Sequence, residues 1–359
     1  MKRLFLLFLI MLLLCSCKSK YSNEKDVFLY NSNESYCFCN ADKYVFVSDS
    51  VPFFIDKSNC KALPVEMNPL ERYNDSEDNF ITSVHSYGCT AYLLKSYNSD
   101  NNDLSVSLDR IDLNNFNKTT VLKLNTSKSN FSLPEWIKPN RDTYSGYFDE
   151  YAEFYDSSDW SNINTWFVYN DTLYFVSNHF LYSCSFKSKR PQKLCDFYVE
   201  ESMACDGKDL YFLNSKKNIL SYNFKSKKIS KVSDCLASEL YIDKSNIYYK
   251  SLSDNCTLHM IDKISNTDSL LINKKVFEFQ KGRNNVLFYL DENYKLHSEN
   301  IELKKDNILF DFDISTYYYD DINNDIYYQT GGTNESEQVN LYFKYSLDDA
   351  TTNIIKLNQ

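Results

Sequence analysis

A short motif recurs along the second half of the chain: an Asp or Asn turn, then an aliphatic residue and aromatic rings. It reads Asp171-Thr172-Leu173-Tyr174-Phe175, Asp209-Leu210-Tyr211-Phe212 and Asn246-Ile247-Tyr248-Tyr249, then Asn285-Val286-Leu287-Phe288 and Asp325-Ile326-Tyr327-Tyr328. Anchored on Leu173, Leu210, Ile247, Val286 and Ile326, the copies lie 37, 37, 39 and 40 residues apart. Weaker copies stand upstream at Tyr44-Val45-Phe46 and Ala91-Tyr92-Leu93. The 82 residues from Ala91 to Leu173 are two periods, or one period with an insertion. A chain with such a period must build like units that cover one another's faces.

Each unit reads as strands. After Leu173 come a turn at Ser177-Asn178, the run Phe180 to Phe186, a Lys187-Ser188-Lys189 turn and a short strand near Leu194. The next unit repeats the order with a Lys225-Ser226-Lys227 turn, and another strand precedes each anchor, as at Glu239 to Ile242. Short runs of Tyr, Phe and Ile between polar turns are the β signature. With 6 Gly and 6 Pro in 359 residues, Asn, Asp, Ser and Lys make the turns. Four strands in about 40 residues is the size of one propeller blade. The expected fold is all-β, a β-propeller of four-stranded blades over 35–359. Seven anchors give seven blades, with six or eight as alternatives. Aromatic pairs beside the anchors should fill the gaps between blades. Val27 to Tyr30 and Asn353 to Leu357 both look strand-like, and either could close the ring by pairing the chain ends.

The units resemble bacterial relatives of the low-density-lipoprotein-receptor-related propeller, whose blades carry a YWTD-type strand. The likeness rests on the xIYYxx and xLYFxx strands and the KS-K turns over about residues 165–350. It implies the architecture and a surface-lipoprotein setting. No YWTD tetrapeptide is present, and those relatives usually have six blades.

The first residues point to export. Lys2 and Arg3 precede an apolar run from Leu4 to Leu14, too short to span a bilayer and fitting a secretory signal. Leu14-Cys15-Ser16-Cys17 looks like a bacterial lipobox. Residues 1–16 are therefore expected to be a signal peptide, Cys17 the lipidated N-terminus, and 17–34 a polar tether. The expected location is the bacterial cell membrane, lipid-anchored on its extracytoplasmic side. More than one acyl chain makes such anchoring durable.

Residues 126–160 break the repeat. Six acids and no Lys or Arg lie between Asp142 and Asp159, and Tyr147, Tyr151, Phe154 and Tyr155 have helical spacing. With Trp136 and Trp160, these rings are the candidate ligand-binding residues; the alternative is an insertion packed onto the propeller. Residues 187–231 carry eleven Lys or Arg against five acids. Lys187 and Lys189 should lie beside Lys225, Lys227 and Lys228 on one rim, facing anionic polymer or headgroups, or merely solvated.

Motifs for chemistry are sparse. The four histidines are scattered, no nucleophile elbow or phosphate loop occurs, and Asp321-x-Asn323-x-Asp325 reads as a turn. No catalytic residue, metal or cofactor is assigned. A net charge of −10 argues against nucleic acid. Nine cysteines remain after Cys15 and Cys17, an odd number that cannot all pair internally, so most should be buried thiols. The expected function is a monomeric, non-catalytic binding module for a protein, peptide or glycan. The alternative is an envelope polysaccharide lyase or hydrolase using acids such as Asp149 and Glu153.

Overall fold

Each repeat folds into an antiparallel sheet whose strands step outward from a central channel, and seven such sheets form a ring. The computed structural model describes residues 29–32, 38–41, 43–47, 53–64, 79–98, 104–125, 163–334 and 337–355. The blades span 38–64, 79–125, 163–193, 199–233, 237–272, 276–310 and 316–354. The gap after Ala91 is thus one period with an insertion. The seven blades depart from the six usual in the family that the strand motif resembles.

All the anchors lie in second strands, where side-chain alternation serves two interfaces at once. Ile247 and Tyr249 point at blade 4, while Tyr248 points at blade 6. Leu210 and Phe212 likewise face blade 3, and Tyr211 faces blade 5. Seven apolar clusters result, one for each junction between neighbouring blades. In blade 6 the buried anchor is Leu287, with Val286 only half-buried. The turn before it holds one residue more than in blade 5, so Leu287 pairs with Lys281 where Ile247 pairs with Ile242.

The ring closes without exchanging strands. Thr351–Ile354 is simply the outer strand of blade 7. Blades 7 and 1 join through an apolar cluster holding Tyr327, Tyr342, Val45 and Ile55, and through a buried ion pair, Lys57 to Asp320 at 3.0 Å. The same clasp joins blades 4 and 5, where Lys263 reaches Asp206 at 2.9 Å. Both lysines follow the third strand of their blade and both aspartates end or follow an inner strand.

Of the expected strand from Val27 to Tyr30, Val27 and Phe28 lie outside the described residues; the strand found is Tyr30–Asn31, and it does not pair with the chain's other end. It adds to the channel edge of blade 4's inner strand, Val199–Cys205. Inner strands leave one row of backbone groups unpaired, which such a strand can use. Asn31 stands opposite Ala204 and takes the Ile242 amide of blade 5 on Oδ1 at 2.7 Å. In blades 2 and 6 the equivalent bond to the next blade is made by His85 Nδ1 to the Val168 amide and Gln280 Oε1 to the Tyr319 amide. Ala204 is too short to do this, and Asn31 substitutes for it. Burial lowers the His85 pKa to about 3, so its ring is a neutral acceptor.

Candidate binding face

The two ends of the ring differ because antiparallel strands alternate direction. First-to-second and third-to-fourth turns lie at one end, the turn face. Second-to-third hairpins and blade-to-blade connections lie at the other, the connection face. Apolar side chains are exposed on the connection face at Phe197, Tyr198, Leu236, Leu252, Phe277 and Tyr294. Phe277 and Tyr294 meet with ring centroids 5.0 Å apart. They come from an inner strand and a hairpin of blade 6.

Between blades 6 and 7 a groove of about 740 Å³ opens on this side. Its floor is aromatic: Tyr328 stacks on Phe343 at 5.1 Å, and Phe312, from the connection between these blades, lies 6.0 Å from Tyr328. Asp313, Thr330 and Thr352 supply polar edges. Flat rings beside hydroxyls and a carboxylate suit a sugar ring or an aromatic side chain.

At the same end, acids gather where inner strands meet the channel. Glu239 of blade 5 is ion-paired to Lys250, whose ammonium also donates to the Phe277 carbonyl at 2.7 Å. Glu278 of blade 6 accepts from Thr316 Oγ1 of blade 7 at 3.2 Å. Burial, reinforced by the Glu239 charge, pushes Glu278 up to about 8. Glu278 keeps some surface toward the channel while protein encloses it elsewhere, which makes it an acid held neutral near physiological pH.

The residues proposed from sequence, Trp136, Tyr147, Tyr151, Phe154, Tyr155 and Trp160, lie outside the described residues, as do Cys17, Asp149 and Glu153. The segment that holds the insertion residues joins Asn117–Asn125 of blade 2 to Ile163–Tyr169 of blade 3, so both its ends stand on the connection face. Trp166, which follows it, is core. Sequence reasoning missed Phe312, Tyr328 and Phe343, because the groove combines a connection with a cross-strand pair of one hairpin, whose register the sequence does not display. The basic turns do come together: Arg190 and Lys193 of blade 3 share a second cleft with Lys227 of blade 4 on the turn face. Lys216 and Lys217, from the same basic run, lie on the opposite face in a hairpin between the second and third strands.

Among the described residues no group of three or more His, Cys, Asp or Glu could hold a metal ion. Cys60, Cys184, Cys195, Cys205, Cys235 and Cys256 carry free thiols. Cys184, Cys195 and Cys205 are buried, and burial raises all three pKa values, Cys184 to about 11. Such thiols pack as small apolar groups.

No family model matches the chain, and no curated protein matches it. Solved structures do. PorZ, a surface component of the type-IX secretion system of Porphyromonas gingivalis, is similar with a TM-score of 0.50 and 12% identity, over 90% of this chain and 38% of that one. The computationally designed Ika8 protein gives 0.49 and 8% identity over 89% and 85%. An oligogalacturonate lyase from Vibrio parahaemolyticus gives 0.46 and 8% identity over 73% and 74%. At such identities the likeness bears on the fold. The chain spans well under half the length of the PorZ structure.

Proposed function

We propose that the protein is a lipid-anchored, extracytoplasmic β-propeller that holds a protein, peptide or glycan on its connection face without catalysis. The observation that carries the reading is the aromatic groove between blades 6 and 7, on the face that also exposes Phe277 and Tyr294 and from which 126–162 arises. The lipobox-like Leu14-Cys15-Ser16-Cys17 supports the anchor. The resemblance of the strand motif to surface propellers, and the fold shared with PorZ, support display outside the cell.

Capture from solubilised cell envelope by the mature chain tests the reading. Phe312→Ala with Phe343→Ala should reduce the captured ligand at least tenfold while leaving the melting transition cooperative. Deleting 126–160 should likewise spare the ring and weaken capture. Undiminished capture by both variants would count against this face.

The second reading is a polysaccharide lyase or hydrolase, favoured by one observation: Glu278, pushed up to about 8, with Glu239 near enough to contribute to that shift and itself paired to Lys250. A carboxyl held protonated near a second carboxylate is what glycosidic chemistry uses. Release of new chain ends from envelope polysaccharide, lost in Glu278→Gln, would establish it.

A further inference from the structure

The chain enters the ring from the turn face. Tyr30 pairs with Cys205, beside the Asp206–Lys208 turn, and Ser32 donates to the Met203 carbonyl, one step further along the channel. Counting back, Leu29 stands at the turn-face mouth, 12 positions after Cys17. Fully extended, that stretch reaches about 40 Å. Asn31, held by both polar atoms of Ile242, fixes this entry point within the ring.

The same face carries the most basic part of the molecule. The hairpins that follow the third strands of blades 3 and 4 are adjacent and equivalent. Lys189 and Lys227 both adopt positive φ, and their amides donate to Ser185 and Asn223. Between them lies a cleft of about 440 Å³ lined by Arg190, Lys193 and Lys227 and by Tyr174, Tyr222 and Phe224; the Lys193 ammonium lies over Phe180, 3.5 Å from its centroid, and 3.8 Å from Asp196. The cleft lining holds no carboxylate, while the serines of the hairpin, Ser185 and Ser188, add hydroxyl donors. Among the described residues Arg190 and Lys227 make no ion pair, and Lys187, Lys189, Lys225 and Lys228 surround them. Arg190 and Lys227 beside rings and hydroxyls, in a lining without a carboxylate, fit an anionic phosphate ester whose organic part rests against the rings.

We propose that this cleft is a docking site for the phosphate headgroup of an anionic lipid, so that the ring sits turn face down and offers its connection face outward. The inference rests on the lipid anchor of the reading above. The chain's net charge of −10 does not oppose it. Surface charges interact over about 10 Å at 0.1 M salt, so the local cations govern the approach.

Vesicle flotation of the mature chain with Cys17→Ser, which removes the acyl anchor, tests the site apart from the lipidation. Binding is expected to vesicles containing about a third phosphatidylglycerol, to vanish on pure phosphatidylcholine, and to weaken as salt rises. Arg190→Glu with Lys227→Glu should lower the partition at least tenfold. Lys216→Glu with Lys217→Glu, the same charge change on the other face, should leave it within twofold. Equal loss from both pairs, or equal binding to neutral vesicles, would overturn the docking site. Mass spectrometry of Cys17 in the native protein separates that result from failure of the anchor itself.

Discussion

One backbone conformation recurs in every blade. Cys60, Phe116, Lys189, Lys227, Asn266, Lys304 and Ala350, each closing the turn from third to fourth strand, have φ between 48° and 58°. L-residues take the left-handed region at a cost of about 1–2 kcal/mol, whereas glycine adopts it freely. Ala350→Gly should therefore raise stability by about 0.5–1 kcal/mol in urea titration, part of the gain being lost to the freer unfolded chain. The sequence displays two of these turns as KS-K. It hides the other five, since the position is defined by conformation and accepts Cys, Phe, Asn or Ala alike. Glu278 gives a pH signature of its own. Its folded pKa of about 8 lies above the usual 4.5, so its contribution to stability is intact below about pH 4.5 and falls as pH rises through 8. Relative to Glu278→Gln, the wild type should lose about 2–4 kcal/mol between pH 5 and 9. A difference that stays constant with pH would show that Glu278 ionises normally.

Between blades, the clasp at the end of the inner strand comes in interchangeable forms. Asp320 with Lys57 and Asp206 with Lys263 are ionic, whereas blades 1 and 2 place Ala41 against Leu113 in an apolar cluster. Removing one member of a buried pair strands the other charge, at about 3–5 kcal/mol. Asp320→Ala should destabilise by that amount, and adding Lys57→Leu should recover most of it by recreating the Ala41 arrangement. A double variant no more stable than the single would mean the closing junction depends on charge itself. The element least legible in the sequence is Tyr30–Asn31. Val27 to Tyr30 reads as a strand from its residues, yet its partner is set by a vacancy at Ala204 that only the assembled ring reveals. Asn31→Ala should cost about 1–3 kcal/mol by leaving the buried Ile242 amide unpaired.

At the scale of the whole molecule, the ring was legible because its cause is periodic. An aliphatic anchor with rings beside it, seven times over, supplies both faces of seven interfaces, and the register slips only at Val286, where a turn is one residue longer. The binding face was not legible, because Tyr328 meets Phe343 across one hairpin of blade 7 and Phe312 comes from the connection before that blade, a combination with no local spacing. The polarity of the ring follows from topology: the entry of the chain at Tyr30 and the basic hairpins of blades 3 and 4 lie at one end, Phe277, Tyr294 and the insertion's roots at the other. Hydroxyl-radical footprinting of the lipidated protein on anionic vesicles tests this polarity most directly. Protection of 185–190 and 223–228 relative to the unlipidated chain in solution is expected, with Phe277, Tyr294 and Phe312 as reactive as before. Protection of those three aromatics, with the basic hairpins left open, would contradict it.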